Sequence, residues 1–403
     1  MLDGSSIRSG KGKRASAEAI IQKGEPRQLT PEFRTVDPGS RTRDPVSQGR
    51  RLVSLDAFRG WTMFWIVGGS SIMAGLAALG HNPVIDAVVP HLDHTPWQGL
   101  RYYDLIWPSF MLMTGMSLPF SYAKRSLEQS HGHIFLRVLR RCVILFLLGS
   151  LRESINLGHP FLVELSSALQ PIAIAYFLAF LMVRRSWRLQ ALAAVTILTG
   201  YALLLAFVPA AGVPAGTYEN GRNLVAAVDR AVLGRHHGEG WGTVLSTIPT
   251  IGTTVLGLLI GRLLQGESPP KVKLAVIGGI GLCAVALGAL LDPVVPMIMK
   301  LWTTSYGLAS AGWSCLLFLG FYFVIDVLGW KRWAFPFVVI GTNALAVYMG
   351  RTLVPLDDHV GIFTAALSSR IGPFGLLLDA AAVLIVEWLI LYWMFRRKIF
   401  LAA

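Results

Sequence analysis

Charged residues are scarce in this sequence. They make up 15% of its 403 residues, whereas a soluble globular domain carries roughly 25%. Hydrophobic residues account for 53% of the chain, and the mean hydropathy is +0.55. Most of the chain therefore has no water to face. This composition excludes an ordinary soluble fold and indicates an integral membrane protein embedded in a lipid bilayer.

Cysteine is also rare. The three cysteines, Cys142, Cys283 and Cys315, all lie within apolar stretches. They form neither a paired disulfide framework nor the spacing of a zinc site. We therefore expect each of them to pack as a small hydrophobic side chain.

Motifs for nucleic-acid binding are lacking, although the formal net charge is +13. The basic residues lie in a polar N-terminal segment and in short clusters between apolar runs. No basic amphipathic face and no combination of aromatic and basic residues typical of such proteins is present. We expect no nucleic-acid partner, and we interpret the basic clusters by the positive-inside rule.

Two regions differ in composition. Residues 1–50 are rich in Arg, Lys, Ser, Pro and Gly, and they have too few apolar residues to form a core. We predict a disordered basic tail there, without the apolar run of a secretory signal peptide. Residues 51–403 form the predicted membrane domain.

Long apolar segments dominate the membrane domain, each close to the roughly 20 residues that cross a bilayer as a helix. They are rich in Leu and Ala and lack the alternation of barrel strands. The sequence therefore predicts an all-α transmembrane helix bundle of about ten spans. The predicted spans are 57–79, 102–123, 136–154, 166–183, 189–209, 243–264, 273–292, 303–326, 333–354 and 373–395.

Basic residues are concentrated on one side of these spans. Clusters such as 137–141, 184–188 and 396–398 all fall on the side that holds the two termini. By the positive-inside rule, both termini are predicted to be cytoplasmic. The loops 80–101, 210–242 and 355–372 are then outside.

Polar candidates appear in the first span. Asp56 and Arg59 lie one helical turn apart. They are expected to form an ion pair that anchors the span, or Arg59 also meets an anionic ligand that arrives from the cytoplasm. Further along, Ser70 follows two glycines, and such small residues either let helices approach closely or leave room for a ligand.

The loop after the first span holds a second group of candidates. His94 is followed by Trp97 and, at the start of the next apolar segment, by Asp104. A carboxylate at that depth usually has a partner or a function. Because histidine titrates near neutral pH, His94 would serve as a general base whose ring Asp104 orients. His91 and Asp93 lie beside His94, but no further ligand follows at a convincing spacing, so we predict no metal site.

Several runs of the chain resemble the family of heparan-alpha-glucosaminide N-acetyltransferase and its bacterial relatives of unassigned function. The resemblance covers the membrane region from residue 51 to 398, in order and with similar spacing. The runs that carry it are RLVSLDAFRG at 51–60, HTPWQGLRYYDLIWPSFMLMTGMSL at 94–118, LQPIAIAYFLA at 169–179, STIPTIGTTVLGLLIGRLL at 246–264, LWTTSYGLASAG at 301–312 and FVVIGTNALAVYM at 337–349.

The resemblance implies an enzyme of a bacterial inner membrane that takes an acetyl group from cytoplasmic acetyl-CoA. Its small-molecule acceptor would be an amino sugar or similar amine on the far side. The family's catalytic histidine lies in a His-x-x-Trp-x-Gly motif, which here begins at His94, and the acidic residue of the next helix corresponds to Asp104. Whether transfer takes one step or two stays open.

Further residues follow from this expectation. Arg59, Arg140 and Arg141 are expected to meet the phosphates of acetyl-CoA, although all three also suit a role as topology anchors. Asn343 either donates to the thioester oxygen or hydrogen-bonds between helices. The residues expected to contact the acceptor are Ser70, Trp97 and Asp56.

Two positions depart from the family pattern. Relatives commonly carry Asn or an acidic residue where this chain has Ser70, and Arg where it has Pro171. Either change would suit a different acceptor, or a catalytically inactive relative that acts as a membrane scaffold. A small-molecule transporter is the third reading, although no internal repeat relates the two halves of the membrane domain. A homo-oligomer is also compatible with the sequence.

Overall fold

The fold is described by a computed structural model, for residues 52–158, 165 and 167–401. The predicted disordered tail, 1–50, lies outside the described residues. Three quarters of the described chain is helical. Its helices are α1 Val53–Ala77, α2 Pro83–Val88, α3 Ile106–Ser126, α4 His131–Leu157, α5 Leu169–Met182, α6 Trp187–Phe207, α7 Leu224–Leu233, α8 Thr247–Gln265, α9 Pro270–Leu291, α10 Thr304–Tyr322, α11 Phe335–Thr342, α12 Ala344–Leu353, α13 Leu356–Ser368 and α14 Gly375–Arg396.

Short elements complete the described chain. Two two-residue strands, β1 Tyr218–Glu219 and β2 Arg222–Asn223, pair in antiparallel fashion. A π-helical turn, Phe323–Val327, extends α10. The short 3₁₀ turns are Val89–Leu92, Tyr103–Leu105, Met299–Leu301, Arg332–Ala334 and Gly372–Phe374.

Five helices in the described ranges are long and apolar enough to cross a membrane: α6, α8, α9, α10 with its π-helical turn, and α14 with the turn before it. A sixth span is possible if α11 and α12 count as one, although the two are bent by 60° relative to each other. The protein is therefore an all-α helical membrane protein. Helices also overlap the remaining predicted segments, but the number of ten spans stays a prediction.

Glycines allow α3 and α8 to pack with their backbones in contact. A Cβ atom added at Gly115 would lie 1.9 Å from the carbonyl oxygen of Thr254, and one at Gly257 would lie 2.1 Å from that of Leu112. No side chain fits into such a gap. Small residues at these positions are typical of helix pairs within membranes. This tight pair fixes the position of α3, one face of which lines the main cavity described below.

The segment predicted as one span at 333–354 is instead two helices, α11 and α12, with the break at Asn343. The side chain of Asn343 is fully buried and bonds the C-terminal segment of the described chain. Its Nδ2 donates to the carbonyl oxygen of Ile399 (3.2 Å), and its Oδ1 accepts from the N–H of Leu401 (3.1 Å). Broken helices are tolerated in membranes where neighbouring groups satisfy the freed backbone.

An ion pair joins α12 to α14 near the middle of α14. Arg351 Nη1 lies 2.9 Å from Glu387 Oε1, and the Glu387 side chain is only 5% exposed. Arg351 Nη2 also lies 3.1 Å from Asp357 on α13 and 3.4 Å from the hydroxyl of Ser71 on α1. One guanidinium thus links four helices.

Candidate functional site

His94 and Asp104 form the centre of the site. Asp104 lies in the 3₁₀ turn before α3, and its side chain is fully buried. His94 lies ten residues earlier, in the loop that follows α1, and its Nδ1 is 2.9 Å from Asp104 Oδ1. The pairing expected from the sequence is therefore present.

Hydrogen-bond donors surround the Asp104 carboxylate. Oδ2 accepts from the hydroxyl of Thr95 at 2.6 Å and from the N–H of Arg101 at 2.9 Å. The Tyr306 hydroxyl donates to the backbone carbonyl of Asp104 at 2.7 Å. Hydrogen bonds to a carboxylate favour its ionised form, so this buried group stays an acceptor.

This arrangement selects one tautomer of His94. An ionised Asp104 only accepts, so the Nδ1 of His94 must carry the proton. Nε2 then has a free lone pair, and no group of the described chain hydrogen-bonds to it. The backbone carbonyl of His94 accepts from Arg101 Nη1 at 3.0 Å, which fixes the loop. The His94 side chain is 34% exposed.

Aromatic rings enclose the imidazole. The ring of Tyr103 packs edge-on at 4.8 Å between centroids, and that of Trp241 packs edge-on at 5.5 Å. Trp241 also contacts Trp107 at 6.2 Å, and Trp107 contacts Trp302 at 5.1 Å. These rings cover part of the imidazole and form a connected aromatic cluster.

Contacts between loops hold the rings in place. The indole N–H of Trp97 donates to the carbonyl of Tyr218 in β1 at 2.9 Å. The N–H of Gly99 donates to the carbonyl of Met297 at 2.8 Å. The loops 80–101 and 210–242 thus lie at the same end of the bundle. We expected Trp97 to contact substrate, but its N–H is used in this contact between two loops.

A cavity of about 320 Å³ runs along α3. The α3 residues that line it recur every three or four positions and so share one helical face. At 1.5 Å per residue, that face extends over about 21 Å. Its members are Trp107, Phe110, Thr114, Ser117 and Ser121. The cavity therefore reaches from the aromatic rings near His94 toward the end of α3 that carries Lys124 and Arg125.

Two of the expected cationic residues line this cavity. Arg59 does so while paired with Asp56 at 3.5 Å, as their spacing predicted. Arg141 lies over the ring of Tyr176, with 4.8 Å between its guanidinium carbon and the ring centroid. Arg140, the third expected cation, is exposed and does not line the cavity.

The remaining expected residues lie elsewhere. Ser70 is exposed and does not line the cavity, whereas Gly68 and Gly69 before it pack against Leu384 and Tyr103. Asn343 uses both atoms of its amide on the C-terminal segment, so it acts as a contact between chain segments.

Three residues of the site were missed from the sequence. Thr95 follows His94 directly in the sequence, and a hydroxyl group beside the candidate base could have indicated its place in the site. Trp107 lies in the run 94–118, but a tryptophan near the end of a membrane span is usually an interfacial residue. Trp241 lies far along the chain in a Gly-Glu-Gly-Trp-Gly stretch, and nothing local connects it with His94.

Among the residues that the structure describes, no three His, Cys, Asp or Glu side chains are placed to hold a metal ion. His91, Asp93 and His94 do not converge in this way. Asp93 instead accepts a hydrogen bond from the N–H of His94 at 2.8 Å.

The loop that carries Trp241 contains a partly buried histidine, His236, and the stability of this loop is expected to depend on pH. Burial lowers the pKa of His236 below its ordinary value, outweighing the nearby Asp229, which raises it. A group with a lowered pKa of this kind stabilises the fold as neutral histidine. That contribution is present above the unfolded value of about 6.5 and is lost as the pH falls through the folded pKa.

We expect faster hydrogen exchange of the Thr243 and Val244 amides, which donate to Asp229, at pH 5 than at pH 7.5 after correction for the intrinsic rates. A His236→Asn variant is expected to lose this difference. An unchanged difference in that variant would assign the pH dependence to another group.

Comparison with known proteins does not identify the chain further: no protein-family model matches it, and no curated protein matches it.

Proposed function

We propose that this protein is a transmembrane acyltransferase that moves an acetyl group from cytoplasmic acetyl-CoA to an amino sugar or similar small amine outside. The observation that carries the proposal is the His94–Asp104 pair. It presents a free Nε2 lone pair, held in one tautomer by a buried carboxylate. The pair does not itself line the cavity, but Trp241 connects the imidazole with Trp107 at the end of the cavity. The resemblance in the runs around His94 and Asp104 supports the same reaction.

The donor would lie in the cavity along α3. Arginine suits the phosphates of CoA because its planar guanidinium forms paired hydrogen bonds with phosphate oxygens. Arg59 and Arg141 line this cavity, and Trp107 lines it near the histidine. An extended pantetheine arm would follow the face of α3, with the thioester at the Trp107 end.

The proposed topology has ten spans, both termini in the cytoplasm and residence in a bacterial inner membrane. It would place the loops 80–101 and 210–242 outside, where the acceptor arrives. The contact of these two loops through Trp97 and Tyr218 supports placing them on the same side.

In the proposed reaction, the acceptor amine attacks the thioester carbon. His94 Nε2 takes the proton from the amine nitrogen as the N–C bond forms, and the imidazolium is stabilised by Asp104. The C–S bond then breaks, and the same proton passes to the departing thiolate. The products are the N-acetylated amine and free CoA.

The test is the reaction itself, with the purified protein in proteoliposomes, acetyl-CoA on one side and glucosamine on the other. We expect release of free CoA together with acetylated glucosamine, measured by mass spectrometry, and neither product without the other substrate. Uptake of labelled glucosamine that remains chemically unchanged, in vesicles without acetyl-CoA, would contradict the enzyme and support a carrier.

A further inference from the structure

We propose that the indole N–H of Trp107 is the hydrogen-bond donor for the thioester carbonyl oxygen, and that it stabilises the negative charge on this oxygen during acyl transfer. The inference rests on the proposed function and extends it to a catalytic residue. It replaces the role that the sequence suggested for Asn343, whose amide is used on the C-terminal segment.

The first observation is the N–H itself. Trp107 Nε1 is buried and has no acceptor within the described part of the chain. A buried donor without a partner is costly, and in native proteins it usually has a reason. A carbonyl oxygen of a bound ligand would supply the missing acceptor once the edge of the indole turns toward the cavity.

The second observation is the place of this residue. Trp107 lines the cavity along α3 and follows Asp104 by three residues, which places the two on the same side of the chain where α3 begins. The indole packs against Trp241, and Trp241 packs against the imidazole of His94, so one ring separates Trp107 from the general base. A thioester at this point would be reachable for an amine that His94 deprotonates.

The third observation is the rigid packing of the indole. Its ring is held by Trp302 at 5.1 Å and by Trp241 at 6.2 Å. Trp302 has a φ of +48°, a left-handed backbone conformation that large side chains rarely adopt. Such strain persists only where surrounding contacts enforce it, and it is found mainly at functional sites.

Hydrogen bonds enforce the turn at Trp302. The hydroxyl of Thr303 donates to the carbonyl of Pro296 at 2.7 Å and accepts from the N–H of Ile298 at 3.0 Å. The carbonyl of Leu301 accepts from the hydroxyl of Tyr201 at 2.7 Å. The turn thus holds the Trp302 ring against Trp107.

Three other donors close to His94 are already used. The hydroxyls of Thr95 and Tyr306 donate to Asp104, and Arg101 donates to the backbone of His94. In the tetrahedral intermediate, the carbonyl oxygen carries the negative charge after the N–C bond forms and before the C–S bond breaks. The Trp107 N–H would be bonded to this oxygen throughout.

The test compares the carbonyl stretch of acetyl-CoA labelled with ¹³C at the thioester carbon, bound to protein with His94→Ala so that no turnover occurs. In that background, we expect the bound carbonyl band to lie at lower frequency than in free acetyl-CoA. Trp107→Phe is expected to remove this shift while acetyl-CoA still binds. In the protein with His94 intact, Trp107→Phe is expected to lower kcat about a hundredfold with little change in KM, as loss of one such donor does.

Trp65→Phe is the matched control. Trp65 also has a buried Nε1 without an acceptor among the described residues, but it does not line the cavity. We expect this variant to keep both the shift and the activity. Replacing Trp107 by benzothienylalanine, which exchanges only N–H for sulfur, tests the same bond if Trp107→Phe fails to fold.

The outcomes are distinct. A band that stays shifted in folded protein without the Trp107 N–H would overturn this assignment and leave the acyltransferase proposal intact. Failure of unmodified protein to bind acetyl-CoA would overturn both. A shift that is lost only with the Trp107 N–H supports the assignment.

Discussion

An Asp104→Asn variant is expected to lose about three orders of magnitude in kcat for acetyl transfer while it binds acetyl-CoA normally. The carboxylate accepts from His94 Nδ1 at 2.9 Å and therefore keeps the proton on that nitrogen. The amide of the variant side chain would be able to donate a hydrogen bond to Nδ1 of His94. This favours the tautomer with the proton on Nε2, and Nε2 then has no lone pair to accept the substrate proton. Comparable exchanges in His–Asp catalytic pairs cost about 10⁴-fold. The measurement is CoA release at saturating glucosamine.

The matching variants separate this effect from simple damage to the fold. His94→Ala is expected to abolish the reaction, and adding Asp104→Asn to it should have no further effect, because the two residues act as a unit. His91→Ala, an exposed histidine three residues earlier, serves as the control and should retain activity. Equal activity of Asp104→Asn and unmodified protein would contradict the assigned role of the pair.

The part of the site that the sequence predicted is its local part. His94 and Asp104 are only ten residues apart in the sequence. A carboxylate at the start of an apolar segment usually has a partner, and this indicated that Asp104 is paired. Trp241, in contrast, reaches His94 only because the loops 80–101 and 210–242 pack together. Without an alignment, a single sequence contains no measure of such contacts.

The sequence also does not show which side of its helix a residue faces, and this limited the prediction of the residues that line the cavity. Arg140 and Arg141 are adjacent in sequence, yet only Arg141 lines the cavity, since neighbouring helical residues point about 100° apart. Ser70 is exposed for the same reason, while Ser71 bonds Arg351. Hydrophobic periodicity is weak in helices that are apolar all round. The sequence pattern therefore does not predict which of these residues face the cavity.

The structure accommodates Pro171 without damage to its helix. Pro171 is the third residue of α5, where a backbone N–H has no partner within the helix in any case. A proline is tolerated there without loss of helical hydrogen bonds. Its neighbour Ile172 lines the cavity, so the exchange changes the charge beside the proposed donor site but leaves the helix intact.

An Arg351→Met variant is expected to lower the free energy of unfolding by about 3 kcal/mol or more. Removing one partner of a buried ion pair leaves the other charge uncompensated, which typically costs about 3–5 kcal/mol. Here the uncompensated group is Glu387, which is 5% exposed and lies within a helix apolar enough to cross a membrane. Asp357, the other carboxylate on Arg351, is 55% exposed and stays solvated. Reversible unfolding in mixed detergent micelles measures the change.

The double variant Arg351→Met with Glu387→Leu decides between an ion pair that stabilises the bundle and one that is merely tolerated. We expect it to recover most of the lost stability, because well-packed apolar residues replace a buried pair at little cost. Arg222→Met is the matched control, since its pair with Glu219 is about two-thirds exposed and such pairs contribute under about 1 kcal/mol. A double variant as unstable as Arg351→Met would mean that Arg351 acts through its contacts with Ser71 and Asp357 instead. The charge of Arg351 would then matter mainly for holding α1 and α13.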